Sequence, residues 1–331
     1  MQRAATIWFI GLTLAFGAFL HALATGSVAI PAGEVVRVVA GGGASAESAQ
    51  VVLELRLPRA LAAFAVGGLL ALAGALMQTL MRNALADPYL LGLSGGAAAG
   101  ALGAMILGAS MLALHLSAAG GALLTSALVL WLARRDFSAE IEPGAAQRLL
   151  LSGVAIAALA GAVVVLILSV APEAQVRGML FWLIGDLAGA ADWRPAWIAV
   201  CAALALVMPH ARGLNVLSRG DLTAESLGVD ARRLRLLAFL IASIITAVAV
   251  ATAGTIGFVG LIAPHLVRLA VGADHRVLLP AAALAGGSLL LIADTLARSL
   301  AAPTQLPTGA LTALIGVPVF LAILWRQGRG R

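Results

Sequence analysis

From Tyr89 to Leu132 the chain runs for more than forty positions without a single Asp, Glu, Lys or Arg. A helix crosses the roughly 30 Å hydrocarbon core of a bilayer with about 20 apolar residues. The stretch is therefore far too long for one straight crossing and has to fold back, which its glycines place near Gly108 to Gly121, giving two spans. The remainder follows the same rule: 62% of the 331 residues are hydrophobic and 11% are charged. A soluble domain carries about 25% charged residues, and this chain could not cover a water-facing surface. It reads as an all-α integral membrane protein of about ten transmembrane helices.

The first span lies within residues 1–25. Its apolar run of about 20 residues exceeds the 7–15 of a signal-peptide core, so it reads as a retained helix. A polar segment, 27–59, ends in Arg56-Leu57-Pro58-Arg59, and the second span covers 60–80. Beyond the two spans between Tyr89 and Leu132, a fifth is expected at 149–170 and a sixth at 195–208. Between them lies a mixed segment, 172–193, with an interfacial helix; its Trp182 and Trp193 suit the headgroup layer. Two short spans share 236–271, parted near Thr252–Gly254, and the last two lie at 277–296 and 309–325.

All 21 basic residues are arginines. They are scattered between spans rather than gathered on one face, so nucleic acid is not the partner; membrane lipid is. With ten spans, fifteen arginines fall on the side of the two termini and six on the other. The positive-inside rule then puts both termini in the cytoplasm. With no lysine, the chain cannot build a Walker A phosphate loop, so it is no ATPase itself, and a motor driven by ATP and Mg has to be another polypeptide. The single cysteine, Cys201, rules out an intrachain disulfide and a thiolate metal cluster and reads as a small buried hydrophobe.

The longest polar loop, about 210–235, contains Asp221, Leu222, Thr223, Ala224, Glu225, Ser226, Leu227, Gly228 and Val229. Asp221 or Thr223 can cap a short helix there, and Gly228 can stop it. Such a helix is either a docking device or an amphipathic connector. At the opposite side Arg56, Arg59 and Arg298 offer guanidinium forks to carboxylates, or snorkel to the interface; Asp294, one turn before Arg298, can pair with it. His265, behind Pro264, reads as a helix-end residue rather than a metal ligand. The pairs Gly67-Gly68, Gly95-Gly96 and Gly286-Gly287 suit close helix packing.

Five pieces carry a resemblance: Arg56-Leu57-Pro58-Arg59, Gly74-Ala75-Leu76-Met77-Gln78, Asn83 to Gly92, Gly257 to His265, and Leu306-Pro307-Thr308-Gly309. In this order and spacing the chain resembles the FecCD family, permeases of type II ABC importers for iron–siderophore complexes, haem and vitamin B12. The resemblance implies a single permease domain over residues 1–331 in the bacterial inner membrane. It implies a homodimer with a path on its axis, two cytoplasmic ATP-binding subunits and a periplasmic substrate-binding protein. By position, Thr223–Val229 is similar to the helix that couples to the ATPase, and Arg56, Arg59 and Arg298 to the arginines that meet the binding protein. The cytoplasmic gate falls at Gly144, Ala145, Ala146, Gln147 and Arg148, where the preceding turn is longer than the family pattern. No cofactor or metal is expected in the chain.

Two rivals stand beside this reading. An ion-driven secondary transporter needs ionisable groups within spans, and Asp294 is the main candidate. An intramembrane enzyme needs a cluster of His, Asp or Glu, which no span displays. The choice among siderophore, haem and cobalamin stays open, with Asp192-Trp193-Arg194 and Asp274 to Pro280 leaning toward cobalamin and haem.

Overall fold

The computed structural model describes residues 2–26, 28–42, 45–134, 145–190 and 192–328, and every regular element among them is helical. The helices are α1 (Gln2–Ala24), α2 (Ala32–Val39), α3 (Ala46–Gln50), α4 (Leu57–Leu80), α5 (Leu93–Ile106), α6 (Met111–Leu132), α7 (Ala145–Val170) and α8 (Glu173–Ile184). They continue as α9 (Arg194–Val207), α10 (Ala211–Leu217), α11 (Asp221–Ser226), α12 (Ala231–Ala253), α13 (Val259–Val271), α14 (His275–Ser299) and α15 (Thr308–Gly328). Six helical stretches are long and apolar enough to cross a bilayer. Four shorter apolar helices, Trp8–Ala24, Leu93–Ile106, Val259–Val271 and Thr308–Ala322, complete the expected ten. Alternating crossings bring the start of α1 and the finish of α15 to one end of the bundle, called here the near end.

Several boundaries differ from the sequence reading. The chain reverses at Leu107–Ser110, where Ser110 Oγ accepts the N–H of Ala113 and caps α6. Gly121 is instead mid-helix, its backbone against that of Gly96. In lipid, glycine admits a neighbouring helix more often than it breaks its own. Much of the polar stretch 27–59 is helical, over Ala32–Val39 and again from Ala46 onward. Amphipathic α2 buries Val35 and Val38, and Ser45 caps α3 by accepting the N–H of Ser48. A π-helical turn, Val51–Arg56, then joins α3 to α4 without a break, so the second span starts well before Ala60. Cys201 is exposed on α9 rather than buried. In a bilayer the lipid-facing side is as apolar as the interior, so composition could not tell them apart.

At the centre stands α4. From Ala60 to Leu80 it is buried on nearly all sides, chiefly by α12, α13 and α14. Small residues allow this. A Cβ on Gly67 would strike the carbonyl of Gly286, and one on Gly74 would strike that of Gly260. Helices this close gain dispersion contacts over their whole length, which is what holds apolar helices together when lipid is equally apolar.

At the far end three segments meet. Asp186 N–H donates to Ala253 O at 2.9 Å, Gly309 N–H donates to Gly185 O at 3.1 Å, and the Thr255 hydroxyl donates to Leu183 O. The break between α12 and α13 begins at Gly254, which has a φ of 68° and sits over the Trp182 carbonyl. A side chain would be refused there on both counts.

Candidate functional site

At the near end, α11 projects from the bundle. Gly220 precedes it at a φ of 126°. Gly228, at a φ of 75°, ends it with the N–H of Val229 returning to Ala224 O at 2.9 Å, a left-handed helix stop. The expected side-chain cap is absent: neither Asp221 nor Thr223 caps α11. Asp221 turns inward, its Oδ2 lying 3.4 Å from Arg235 Nη1 and 3.7 Å from Arg82 Nη2. Ala224 packs beside it, buried. The other face presents Thr223, Glu225, Ser226 and Gly228 to the surroundings, with Leu222 and Leu227 exposed by 76% and 66%.

The loop is anchored by a polar chain that the sequence did not advertise. Asn215, on α10, accepts the N–H of His275 at 2.8 Å, lies 2.7 Å from His275 Nδ1, and donates to Asp274 at 2.8 Å. His275 Nε2 is 2.7 Å from Thr79 Oγ1, on α4. The docking loop is thus tied to the ends of α14 and α4. Arg276, bonded to the Asp274 side chain, and then Asn215 hold that carboxyl well below the usual carboxylate range.

Between α4 and α5 the chain makes a capped turn. Asp87 accepts the N–H of Tyr89 at 2.8 Å and starts a single 3-10 turn, Pro88–Leu91. Burial pushes the Asp87 carboxyl up to about 6, against the pull of that N–H. The Tyr89 hydroxyl accepts the N–H of Ile256 in the α12–α13 break. Of the expected gate, Gly144 lies outside the described residues. Ala145 to Arg148 form the first turn of α7, with Gln147 and Arg148 exposed.

At the far end the three arginines come together around a cavity of about 520 Å³. Arg56 is buried and donates to the carbonyls of Leu23, at 2.7 Å, Ala24, at 2.9 Å, and Val28. Arg298 is buried too, bonded to Asp294 at 3.1 Å and to Ala22 O at 3.2 Å. Arg59 grips Asp294 through Nε and Nη2, at 3.1 and 2.8 Å, and reaches Gln305 Oε1 at 3.0 Å. Asp294 also accepts from Thr308 at 3.2 Å. The expected Asp294–Arg298 pair is present; the share taken by Arg59, and a contact from Arg59 to Asp186 at 3.5 Å, join residues too distant in sequence for spacing to reveal.

A bundle of about ten apolar helices, closely packed on glycine and alanine, with a projecting short helix at one end and an arginine-lined cavity at the other, is a membrane permease. The chain belongs to the FecCD transport family, whose pattern matches residues 12–326. It is 40% identical over 336 residues to the vitamin B12 import system permease protein BtuC of Klebsiella pneumoniae, covering 99% of this chain and 97% of that one. It is 44% identical over 289 residues to the hemin transport system permease protein HmuU of Yersinia pestis, covering 84% of each. A solved inward-facing structure of a metal-chelate type ABC transporter superposes with a TM-score of 0.82 at 32% identity, over 97% of this chain and 99% of that one. The chain is the multi-pass, non-enzymatic permease subunit of an ABC importer, and ATP is hydrolysed by a separate subunit.

Proposed function

We propose that two copies of this chain form the translocation path of a binding-protein-dependent importer in the bacterial inner membrane, with the near end and both termini in the cytoplasm. Each copy is one permease domain over residues 1–331. Two ATP-binding subunits seat on the near end and one periplasmic binding protein on the far end. The cargo is a metal chelate of the class that includes vitamin B12, haem and iron–siderophore complexes, the first two being named for the relatives above.

The observation that carries this is the outer face of α11. A six-residue helix is too short to persist on its own, and here Leu222 on the helix and Leu227 just past its end are held out where water would meet them. A partner that covers Leu222 and Leu227 gains apolar burial of about 1.5–3 kcal/mol per side chain, while Thr223, Glu225 and Ser226 supply polar contacts around them. The Thr223–Val229 segment thereby acts as the coupling element, and the start of α7, Gly144–Arg148, acts as the gate. At the far end Arg56 and Arg298 provide fixed positive charge deep in the cavity and Arg59 offers its fork to a carboxylate of the binding protein.

Copurification tests the reading. The ATPase subunit should travel with the wild-type chain and be lost when Leu222 and Leu227 are both changed to Glu. In liposomes containing the full complex, uptake should require ATP; uptake driven by a proton gradient without ATP would overturn the proposal in favour of secondary transport. Asp294, the carboxylate that such a mechanism would use, is already bonded to two arginines and a threonine.

A further inference from the structure

The far-end cluster has a charge that its described bonds do not balance. Arg59 and Arg298 both lean on Asp294, one fully buried carboxylate between two guanidiniums. The second negative charge is Asp186. Its Oδ1 is buried and accepts no hydrogen bond among the described residues, yet it stands 3.5 Å from Arg59 Nη2. Charge-assisted bonds of this kind close to about 2.7–2.9 Å when nothing prevents it. Here Arg59 is held back by its three bonds to Asp294 and its bond to Gln305.

Arg59 therefore stands between two carboxylates carried on different parts of the bundle. Asp294 belongs to α14, whose backbone is packed against α4 at Gly67 and Gly286. Asp186 belongs to the 185–190 connector between α8 and α9, where the adjoining residues are joined to the rest by two main-chain bonds, Asp186 to Ala253 and Gly309 to Gly185. Residues from both sides of this contact line the far-end cavity: Arg56, Arg59 and Arg298 from α14 and the start of α4 beside it, and Leu187, Ala188 and Ala190 from the connector. The Arg59–Asp186 contact ties the two sides together.

We propose that Asp186 is a positioning residue that holds the 185–190 wall against Arg59, and that this contact has to break for the cavity to widen during transport. The idea rests on the reading of the far end as the binding-protein face. A carboxylate arriving at Arg59 competes with both aspartates. Asp186, held by one long contact, yields first, whereas Asp294 keeps Arg298 and Thr308 as partners.

The experiment uses the complete transporter in nanodiscs with its ATPase and binding protein, comparing wild type, Asp186→Asn and Asp186→Glu. The asparagine keeps the shape and removes the charge. The expected result is binding-protein affinity raised five- to tenfold, and ATP hydrolysis without binding protein raised several-fold, with both restored by Asp186→Glu. A purely structural role would weaken both quantities, so the direction of change is diagnostic. Where Arg59→Ala weakens binding-protein affinity, unchanged or lower values in Asp186→Asn overturn the proposal.

Arg59→Ala separates this from the docking reading. If it leaves binding-protein affinity intact, docking at Arg59 is wrong. The positioning role then stands or falls on the distance between spin labels at Val28 and Ala188, both of which line the cavity. A longer or broader distance in Asp186→Asn supports the role, and an unaltered one ends it.

Discussion

The Tyr89 hydroxyl accepts a hydrogen bond at 3.2 Å from the main-chain N–H of Ile256, joining the turn after α4 to the break between α12 and α13. Tyr89 is the only tyrosine in the chain, and Tyr89→Phe removes the acceptor while keeping the ring. A buried N–H left without a partner costs about 1–3 kcal/mol. Hydrogen exchange across residues 254–258 should rise by about tenfold or more, since every 1.4 kcal/mol is a factor of ten. An unchanged exchange rate would mean that the bond contributes nothing to holding the break.

Asp221 should matter more for the placing of α11 than for any contact with a partner. Arg235 is its better-buried neighbour, while Arg82 is about half exposed and adds little. Asp221→Ala removes the carboxylate that faces the Arg235 and Arg82 guanidiniums; breaking a fully buried pair costs about 3–5 kcal/mol, and the cost here is less. The expected outcome is a lower unfolding temperature and ATP hydrolysis poorly coupled to uptake. Uptake per ATP in proteoliposomes measures it, and Asp221→Asn should fall between the two.

Gly74→Ala places a methyl group on the Gly260 carbonyl. Neither main chain can withdraw, because each helix is packed on its other sides. Overpacking costs about 1–3 kcal/mol, occasionally more, and here the upper end or beyond is expected. The control is Gly120→Ala, where a Cβ meets nothing within 4 Å. That variant should be neutral or slightly stabilised, since alanine is the better helix former. Detergent-solubilised yield and thermal unfolding distinguish the two.

The Asp87 carboxyl supplies a pH dependence. Its ordinary value is near 3.9, and in the folded chain burial raises it to about 6. The folded state therefore binds the extra proton more tightly than the unfolded state. The resulting stability is fully present below about pH 4 and is lost as pH rises through about 6. Asp87→Asn, which keeps a cap acceptor and never ionises, should gain a few degrees in unfolding temperature over wild type at pH 7.5. At pH 4 it should gain none. An equal difference at both values would rule the carboxyl out as the source.

The number of crossings, the short helix in the 210–235 loop and the family were legible in the sequence because each rests on local pattern: run length, turn residues, motif spacing. What stayed hidden depends on partners far along the chain. Asp221 looks like a cap when read beside Thr223 and Glu225; only the fold brings Arg235 and Arg82 to it. Asn215 is unremarkable until His275 and Thr79 arrive. Gly121 has the composition of a turn and the function of a packing surface, and the two cannot be separated without knowing that Gly96 lies opposite. The boundary of the second span was missed because Glu54 and Arg56 make 46–59 look polar, although a continuous helix runs through them.

The burial of α4 has a consequence for biogenesis. In the finished protein this helix hardly meets lipid, and most of its surface is claimed by α12, α13 and α14. Those helices lie beyond residue 230, so α4 has been synthesised and released into the bilayer long before they exist. It must dissolve in lipid first and in protein afterwards. Its leucines serve the first solvent, and its glycines and alanines serve the second. Replacing glycine with leucine would ease insertion and forbid assembly; replacing leucine with serine would do the reverse. The composition of α4 records the order in which the chain meets its surroundings.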